Sequence, residues 1–187
     1  GGSLFDCLEL IYGATDGRVH FYDQPLIQEI GRYIYRAHIS GRYFVNFADG
    51  DALLRIPAEL VARYGRRIGD PRLTAMGLSA MRKENIVSDA ILSMYRALPH
   101  LLHYGERQEE LPSPPFVRDV WLDGIQFMAA REQEGTDRGL YLAAKGGHNA
   151  ESHNHNDVGQ FIVYADGKPF LIDVGVETYT AKTFSSR

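Results

Sequence analysis

The sequence predicts an α+β protein in which helices come first and strands follow. Two observations carry this prediction. Apolar residues recur at helical spacing up to about residue 104, whereas from residue 117 they alternate in short runs typical of strands. Between these two parts lies the proline-rich stretch 111–116, which is typical of a stiff, extended linker. We therefore expect a helical domain, residues 1–110, and a β-rich domain, residues 117–187.

Helical periodicity divides the first part into segments that each begin at a capping side chain or a proline. Residues 39–47 are ambiguous, because they have strand composition but could form a loop between helices. Helices paired through short loops favour stacked helical hairpins, an α/α arrangement. The predicted helices are 3–14, 23–37, 56–64, 70–83 and 88–98.

The second part alternates between apolar runs and turn residues. Asp166 and Gly167 separate two of these runs and are the strongest short signal for a β-hairpin. A two-residue turn there places residue 165 opposite residue 168, and Asp173 opposite about Gln160. The predicted strands are 117–122, 125–130, 140–144, 161–164 and 170–172.

Composition excludes several classes of protein. The chain has 187 residues, a net charge of −4 and a pI near 6.0, which argue against a nucleic-acid surface or an anionic-membrane surface. No apolar run approaches the ~20 residues of a membrane span. The single cysteine, Cys7, cannot form an internal disulfide, and we expect it to be a buried thiol within the first helix. Both ends of the sequence give the impression of a segment cut from a longer protein.

Histidines and amides are concentrated in residues 146–157. Three of the seven histidines fall within the eight positions from His148 to His155. Such a run cannot build a core, because a polar group buried without a partner costs roughly 1–3 kcal/mol. In an extended segment His153, His155 and Asp157 point to one face. The run is therefore either a solvated loop or a site, and its position before a predicted hairpin favours a site.

A His-x-His pair can place two imidazoles on one metal ion, or one on a metal and one on a substrate. Asp173 is the obvious further carboxylate, but the hairpin register leaves it ~17 Å from His155 along a straight strand. The spacing alone therefore does not establish a metal site. Two hydrolase patterns fit poorly: metallo-β-lactamases need a histidine where Val158 stands, and amidohydrolases need alternating helices after the pair.

The same residues resemble the heparinase II/III-like polysaccharide lyases. The resemblance is carried by residues 147–161, by 164–169, and by 173–175 with Tyr179, and it extends more weakly to 8–10 and 44–47. It implies that the chain spans the end of an α/α toroid and the start of an antiparallel β-sandwich. It also implies a secreted or periplasmic enzyme that cleaves an acidic, uronic-acid-containing polysaccharide, such as a glycosaminoglycan or alginate, by β-elimination.

The resemblance also implies roles for individual residues. His153 matches a histidine that reaches the substrate, either to neutralise its carboxylate or to transfer a proton, and His148 and Asn154 would contact substrate. His155 and Asp173 match two ligands of a structural zinc ion. The catalytic tyrosine of the family and the third zinc ligand have no match between Gly1 and Arg187, so we expect the isolated chain to be inactive. A homodimer is compatible with the resemblance, and partners among nucleic acids or membranes are not expected. The alternative is a non-catalytic carbohydrate-binding or structural protein with a structural metal.

Overall fold

The computed structural model describes residues 1–81, 96, 112–150 and 155–175. Within these residues lie four α-helices, an antiparallel five-stranded sheet and a two-stranded sheet, so the predicted α+β class is confirmed. The chain divides into two compact units. The helical unit comprises Gly1–Arg36 and Arg55–Phe116, and the sheet unit comprises Ala37–Leu54 and Val117–Arg187.

The first four predicted helices are present, with ends shifted by a few residues. Asp70 caps the fourth as expected, because its carboxylate accepts a hydrogen bond from the backbone amide of Leu73 at 2.9 Å. Ser3, the expected first residue of the first helix, lies inside it, and Gly1 is the N-cap residue instead. The predicted helix 88–98 falls, apart from Arg96, outside the described residues. The helices are α1 Gly2–Ala14, α2 Pro25–Arg36, α3 Ala58–Arg67 and α4 Pro71–Met81.

Helices α3 and α4 pack backbone against backbone. A methyl group added at Gly65 would collide with the backbone of Thr74, and one added at Gly77 would collide with the backbone of Ala62. The two glycines therefore allow an approach that any larger residue would block. This close contact holds the two helices in one fixed arrangement.

Aromatic rings and ion pairs fill the space between α1 and α3. The ring of Phe5 is fully buried and stacks on Tyr64, with 4.6 Å between ring centroids. Glu9 accepts hydrogen bonds from the Tyr22 hydroxyl and from the Arg67 guanidinium. Cys7 is exposed, so the expectation of a buried thiol was wrong; the stripe of α1 that faces inward carries Phe5 and Leu8 instead.

All five strands predicted after the linker are present in one sheet. Each of these strands pairs antiparallel with the next one along the chain. The strands are β3 Asp119–Leu122, β4 Phe127–Arg131, β5 Leu140–Lys145, β6 Phe161–Ala165 and β7 Lys168–Leu171. A short 3-10 helix, Asp123–Ile125, replaces the predicted turn between β3 and β4.

The ambiguous residues 39–47 form a small sheet, β1 His38–Ser40 and β2 Tyr43–Phe44. Segment 37–54, which contains both strands, covers one face of the five-stranded sheet. Its Ile39 is 1% exposed and belongs to the same core cluster as Phe127 and Ile162. Local sequence patterns do not indicate that a segment between two helices belongs to the sheet unit.

Arg131 ties segment 37–54 to the sheet. Its guanidinium is buried and donates hydrogen bonds to the carbonyls of His38 at 2.9 Å, Val117 at 2.9 Å and Thr136 at 3.1 Å. The guanidinium lies over the ring of Tyr141, 4.9 Å from the centroid. Burial lowers the pKa of Arg131, while the neighbouring Tyr141 and Asp137 act in the opposite direction.

The hairpin of β6 and β7 has the predicted turn. Ala165 pairs with Lys168, and both Asp166 and Gly167 adopt positive φ, as a two-residue turn of this kind requires. The register shifts by one position between Val163 and Tyr164.

The sheet face away from the core exposes apolar side chains. One row of side chains crosses four strands, each residue being paired with the next across the sheet. At its two ends lie exposed aromatic residues, Trp121 with 58% of its surface exposed and Phe161 with 50%. The residues of this row are Trp121, Met128, Ala144 and Phe161.

Candidate functional site

The histidine-rich residues lie in the loop that joins β5 to β6, and the start of this loop is fixed by Gln126. The backbone amide of Gly146 donates to the Gln126 carbonyl at 2.7 Å, and that of Gly147 donates to its side-chain Oε1 at 2.9 Å. Gly147 has φ +87°, a conformation that favours glycine. The loop therefore leaves β5 along a path that two glycines and one glutamine define.

The end of the loop is fixed by backbone pairing with β5. The amide of Gly159 donates to the Lys145 carbonyl at 2.8 Å, and the amide of Lys145 donates to the Gln160 carbonyl at 3.0 Å. The amide of Gln160 also donates to the Asp157 carbonyl at 2.8 Å. Residues 157–160 thus make a tight turn before β6.

The turn Asn46–Gly50, in segment 37–54, reaches the same loop. The Asp157 side chain is buried, and its Oδ2 accepts a hydrogen bond from the backbone amide of Ala48 at 2.6 Å. Ala48 has φ +59°, a strained conformation for a residue other than glycine, with a typical cost of ~1–2 kcal/mol. Backbone strain of this kind is often retained at functional sites.

His155 meets the residue that follows Ala48. Its Nε2 lies 3.2 Å from Oδ1 of Asp49. Both side chains are partly buried, at 31% and 27% exposed. The sequence analysis did not select Asp49, because it precedes His155 by 106 positions and falls just after the ambiguous residues 39–47.

Asp173 comes just after β7, and its Oδ1 accepts a hydrogen bond from the Gly175 amide at 2.6 Å. A Cβ placed on Gly175 would lie 3.8 Å from Nδ2 of Asn46. The end of the sheet therefore comes close to the same turn, Asn46–Gly50, that contacts His155. The turn therefore makes a hydrogen bond with His155 and lies near Gly175, two positions after Asp173.

The described residues do not by themselves form a metal centre. Among them, no group of three or more His, Cys, Asp or Glu side chains is placed to hold a metal ion. Nε2 of His155 and Oδ1 of Asp49, 3.2 Å apart, are at hydrogen-bonding distance from each other, and imidazole nitrogens and carboxylate oxygens are ligand types that zinc accepts. A zinc site formed by His155 and Asp173 stays a prediction.

The remaining predicted site residues are less constrained or lie outside the described part. His148 is exposed, and its Nδ1 accepts a hydrogen bond from the Ala150 amide at 3.2 Å. Asn149 Oδ1 accepts from the Val158 amide at 3.3 Å and so joins the two sides of the loop. His153 and Asn154, predicted to act on substrate, both lie outside the described residues.

The charges at the site have both signs. The carboxylates of Asp49 and Asp157 lie where the turn at 46–50 meets the end of the loop. The Lys145 ammonium lies at the start of the loop, where it donates to the carbonyls of Ile125 at 3.0 Å and Gly146 at 3.3 Å. A cation at the base of the loop is compatible with an anionic ligand.

No protein-family model matches the chain, and no curated protein sequence matches it either. In the part of the chain that the structure describes, no helix is long and apolar enough to cross a lipid bilayer.

Proposed function

We propose that the chain is part of a polysaccharide lyase that cleaves a uronic-acid-containing polysaccharide by β-elimination. The observation that best supports this proposal is that the histidine-rich loop is anchored at both ends. Gln126 fixes its start, and Asp157 ties its end to Ala48. A loop whose side chains serve only as solvated surface needs no such anchoring, whereas a reacting group must be held in place.

The chemistry explains why histidines and amides are concentrated there. The proton at C5 of a uronic acid is weakly acidic, so a lyase must neutralise the adjacent carboxylate, remove the proton and protonate the departing O4. His153 is the residue we propose for neutralisation or proton transfer. His148 and Asn154 are proposed to contact the substrate, and the resemblance to heparinase II/III-like lyases supports these assignments.

A structural zinc ion is part of the proposal. His155 and Asp173 would hold it, and the ion would supply a fixed point for the loop. His155 would then be held in place while His153, two positions earlier, stays directed at the substrate. Two observations support it: the hydrogen bond between Asp49 and His155, and the closeness of Asn46 to Gly175, two positions after Asp173.

The finer features of the fold belong to the same proposal. The four described helices would be the end of an α/α toroid, and the five-stranded sheet would be one layer of a β-sandwich. The longer enzyme would be secreted or periplasmic, and it could act as a homodimer. The catalytic tyrosine and the third zinc ligand would come from parts of that enzyme beyond this chain.

A second candidate is a non-catalytic carbohydrate-binding protein. The specific observation in its favour is the row from Trp121 to Phe161, since exposed aromatic rings on one face of a sheet can stack against sugar rings. This function would use the outer face of the sheet, and it would need neither His153 nor the loop.

The two functions are separated by one experiment on the longer protein that contains this chain. It would be incubated with heparan sulfate, alginate and hyaluronan while the absorbance of unsaturated uronate is followed. We expect a rise with at least one of these polysaccharides, and a loss of at least ~100-fold in His153→Ala. The control is His20→Ala, an exposed histidine of the helical unit.

Full activity in His153→Ala would reject the role assigned to that residue. Binding of a polysaccharide without any rise in absorbance, abolished in Trp121→Ala, would establish the second candidate instead. The isolated chain of 187 residues should give no rise in absorbance with any of the three, and a measurable rate would contradict the division of the site proposed above.

A further inference from the structure

The turn Asn46–Gly50 presents two neighbouring groups to the loop that carries the histidines. The backbone amide of Ala48 donates to Asp157, and the carboxylate of Asp49 contacts His155. Residues 155 and 157 are thus held at two points by residues 48 and 49. Ala48, which has φ +59°, makes one of these contacts and directly precedes Asp49, which makes the other.

We infer that Asp49 is a positioning residue of the proposed lyase site, acting through the imidazole of His155. Its carboxylate accepts the proton on Nε2, which fixes the orientation and the tautomer of the ring and leaves Nδ1 as the nitrogen able to bind a ligand. The effect of Asp49 on catalysis rests on the proposed function, whereas its effect on the tautomer of His155 does not.

The direction of this hydrogen bond follows from the chemistry of the two groups. An ionised carboxylate can only accept, and a neutral imidazole has one donor nitrogen and one acceptor nitrogen. At the separation of 3.2 Å between Nε2 and Oδ1, the imidazole must therefore be the donor. Histidines that bind metals in proteins commonly donate their second N–H to a carboxylate in this way.

The position of His155 matters for the proposed catalytic residue because His153 is only two residues away along the chain. A fixed residue 155 therefore limits how far residue 153 can lie from it. The buried contact of Asp157 with Ala48 adds a second restriction two positions further on. Asp49 would thus act on the reaction without touching the substrate.

Three properties distinguish this pair from an ordinary surface ion pair. The two residues are 106 positions apart, so helical or hairpin spacing does not bring them together. Both side chains are partly buried, at 31% and 27% exposed. A buried carboxylate, that of Asp157, holds the same two backbone segments together beside it.

The test is the tautomer of His155, measured by two-bond nitrogen–proton correlation NMR on the ¹⁵N-labelled chain. The pH should lie about two units above the ordinary imidazole pKa of ~6.5. In the wild-type chain we expect the proton on Nε2. In Asp49→Asn, whose amide can donate as well as accept, the form with the proton on Nδ1 should appear alongside it.

Asp51→Asn is the matched control, because Asp51 is an exposed aspartate two positions further along the same segment. It should leave the His155 signals unchanged. A proton on Nδ1 in the wild-type chain, or an Asp49→Asn spectrum identical to that of the wild type, would overturn the inference.

The NMR measurement needs no enzymatic activity, so it tests the tautomer of His155 even if the proposed lyase function is wrong. Where the longer protein is active, Asp49→Asn should lower kcat by ~10- to 100-fold and leave KM little changed, with Asp51→Asn equal to wild type. An active longer protein whose kcat is unaffected by Asp49→Asn would contradict the positioning role while leaving the lyase function intact.

Discussion

The Asp157 carboxylate accepts a hydrogen bond from the backbone amide of Ala48, with 2.6 Å between Oδ2 and the amide nitrogen. The two residues are 109 positions apart, and both belong to the sheet unit. Through this contact a turn located between two helices becomes part of the candidate site.

Replacing Asp157 should destabilise the sheet unit. Asp157→Ala leaves the Ala48 amide without its acceptor, and we expect the free energy of unfolding to fall by about 1–3 kcal/mol, whereas Asp157→Asn keeps an oxygen acceptor and should cost less. Urea unfolding followed by tryptophan fluorescence measures this, because Trp121 is the single tryptophan and lies in β3. The control is Asp119→Asn, at an exposed position in β3, which should change the free energy of unfolding by less than about 0.5 kcal/mol. Equal stability of Asp157→Ala and wild type would contradict the contact.

Arg131→Lys should also destabilise the sheet unit. Lysine keeps the charge but cannot reproduce the planar fork that donates to the carbonyls of His38, Val117 and Thr136. We expect a loss of about 2–4 kcal/mol, since one buried and two partly buried carbonyls lose their donor together. The same fluorescence measurement applies. Arg138→Lys, at an exposed position, is the matched control, and a loss of similar size in both variants would show that the buried fork is unimportant.

Gly77→Ala should force helices α3 and α4 apart. The added methyl group would overlap the backbone of Ala62, so we expect a loss of about 1–3 kcal/mol in the unfolding of the helical unit, measured by far-ultraviolet circular dichroism in urea. The control is Gly13→Ala in α1, where an added methyl group meets nothing within 4 Å. That change should stabilise the chain by up to about 1 kcal/mol, because alanine is the better helix former. If Gly77→Ala and Gly13→Ala changed the free energy of unfolding in the same direction, the packing described for Gly77 would be contradicted.

The stability that Tyr22 contributes should depend on pH at the alkaline end. Burial raises the pKa of Tyr22, and its hydrogen bond to Glu9 raises it further. Because the pKa is raised in the folded state, the stability contributed by the neutral Tyr22 hydroxyl is fully present below the tyrosine pKa of the unfolded chain, ~10. This stability is lost as the pH rises through the pKa of Tyr22 in the folded chain.

Urea midpoints of wild type and Tyr22→Phe should therefore differ most near pH 8 and converge as the pH rises beyond ~10. At pH 8 we expect Tyr22→Phe to be less stable by about 0.5–1.5 kcal/mol. A difference that stays constant or grows with pH would show that the hydroxyl is not held in its neutral form.

Local signals predicted most of the elements. Pro71 behind Asp70 identified the start of α4, because the cap and the proline act within a few residues of each other. Asp166 and Gly167 identified the hairpin and placed Ala165 opposite Lys168. The later shift at Val163 depends on how one strand packs on its neighbour, which the sequence does not encode locally.

The partner of His155 could not be predicted. Periodicity, caps and turns describe contacts within a segment, whereas Asp49 reaches His155 only because segment 37–54 packs on the sheet. The composition of residues 39–47 suggested a strand but did not indicate which sheet it would cover. The roles of His153, Asn154 and the zinc ligands stay predictions, since they depend on the resemblance and on residues outside the described part.

The interleaving of the two units has a consequence for the growing chain on the ribosome. Translation completes segment 37–54 well before β4, β5 and β6, the strands whose side chains it covers. At ~5–20 residues per second, Ile39 must wait several seconds for the apolar surface that shields it from water. During that interval the nascent chain exposes a β-prone apolar stretch, so its yield in cells should depend on how fast the later half is synthesised.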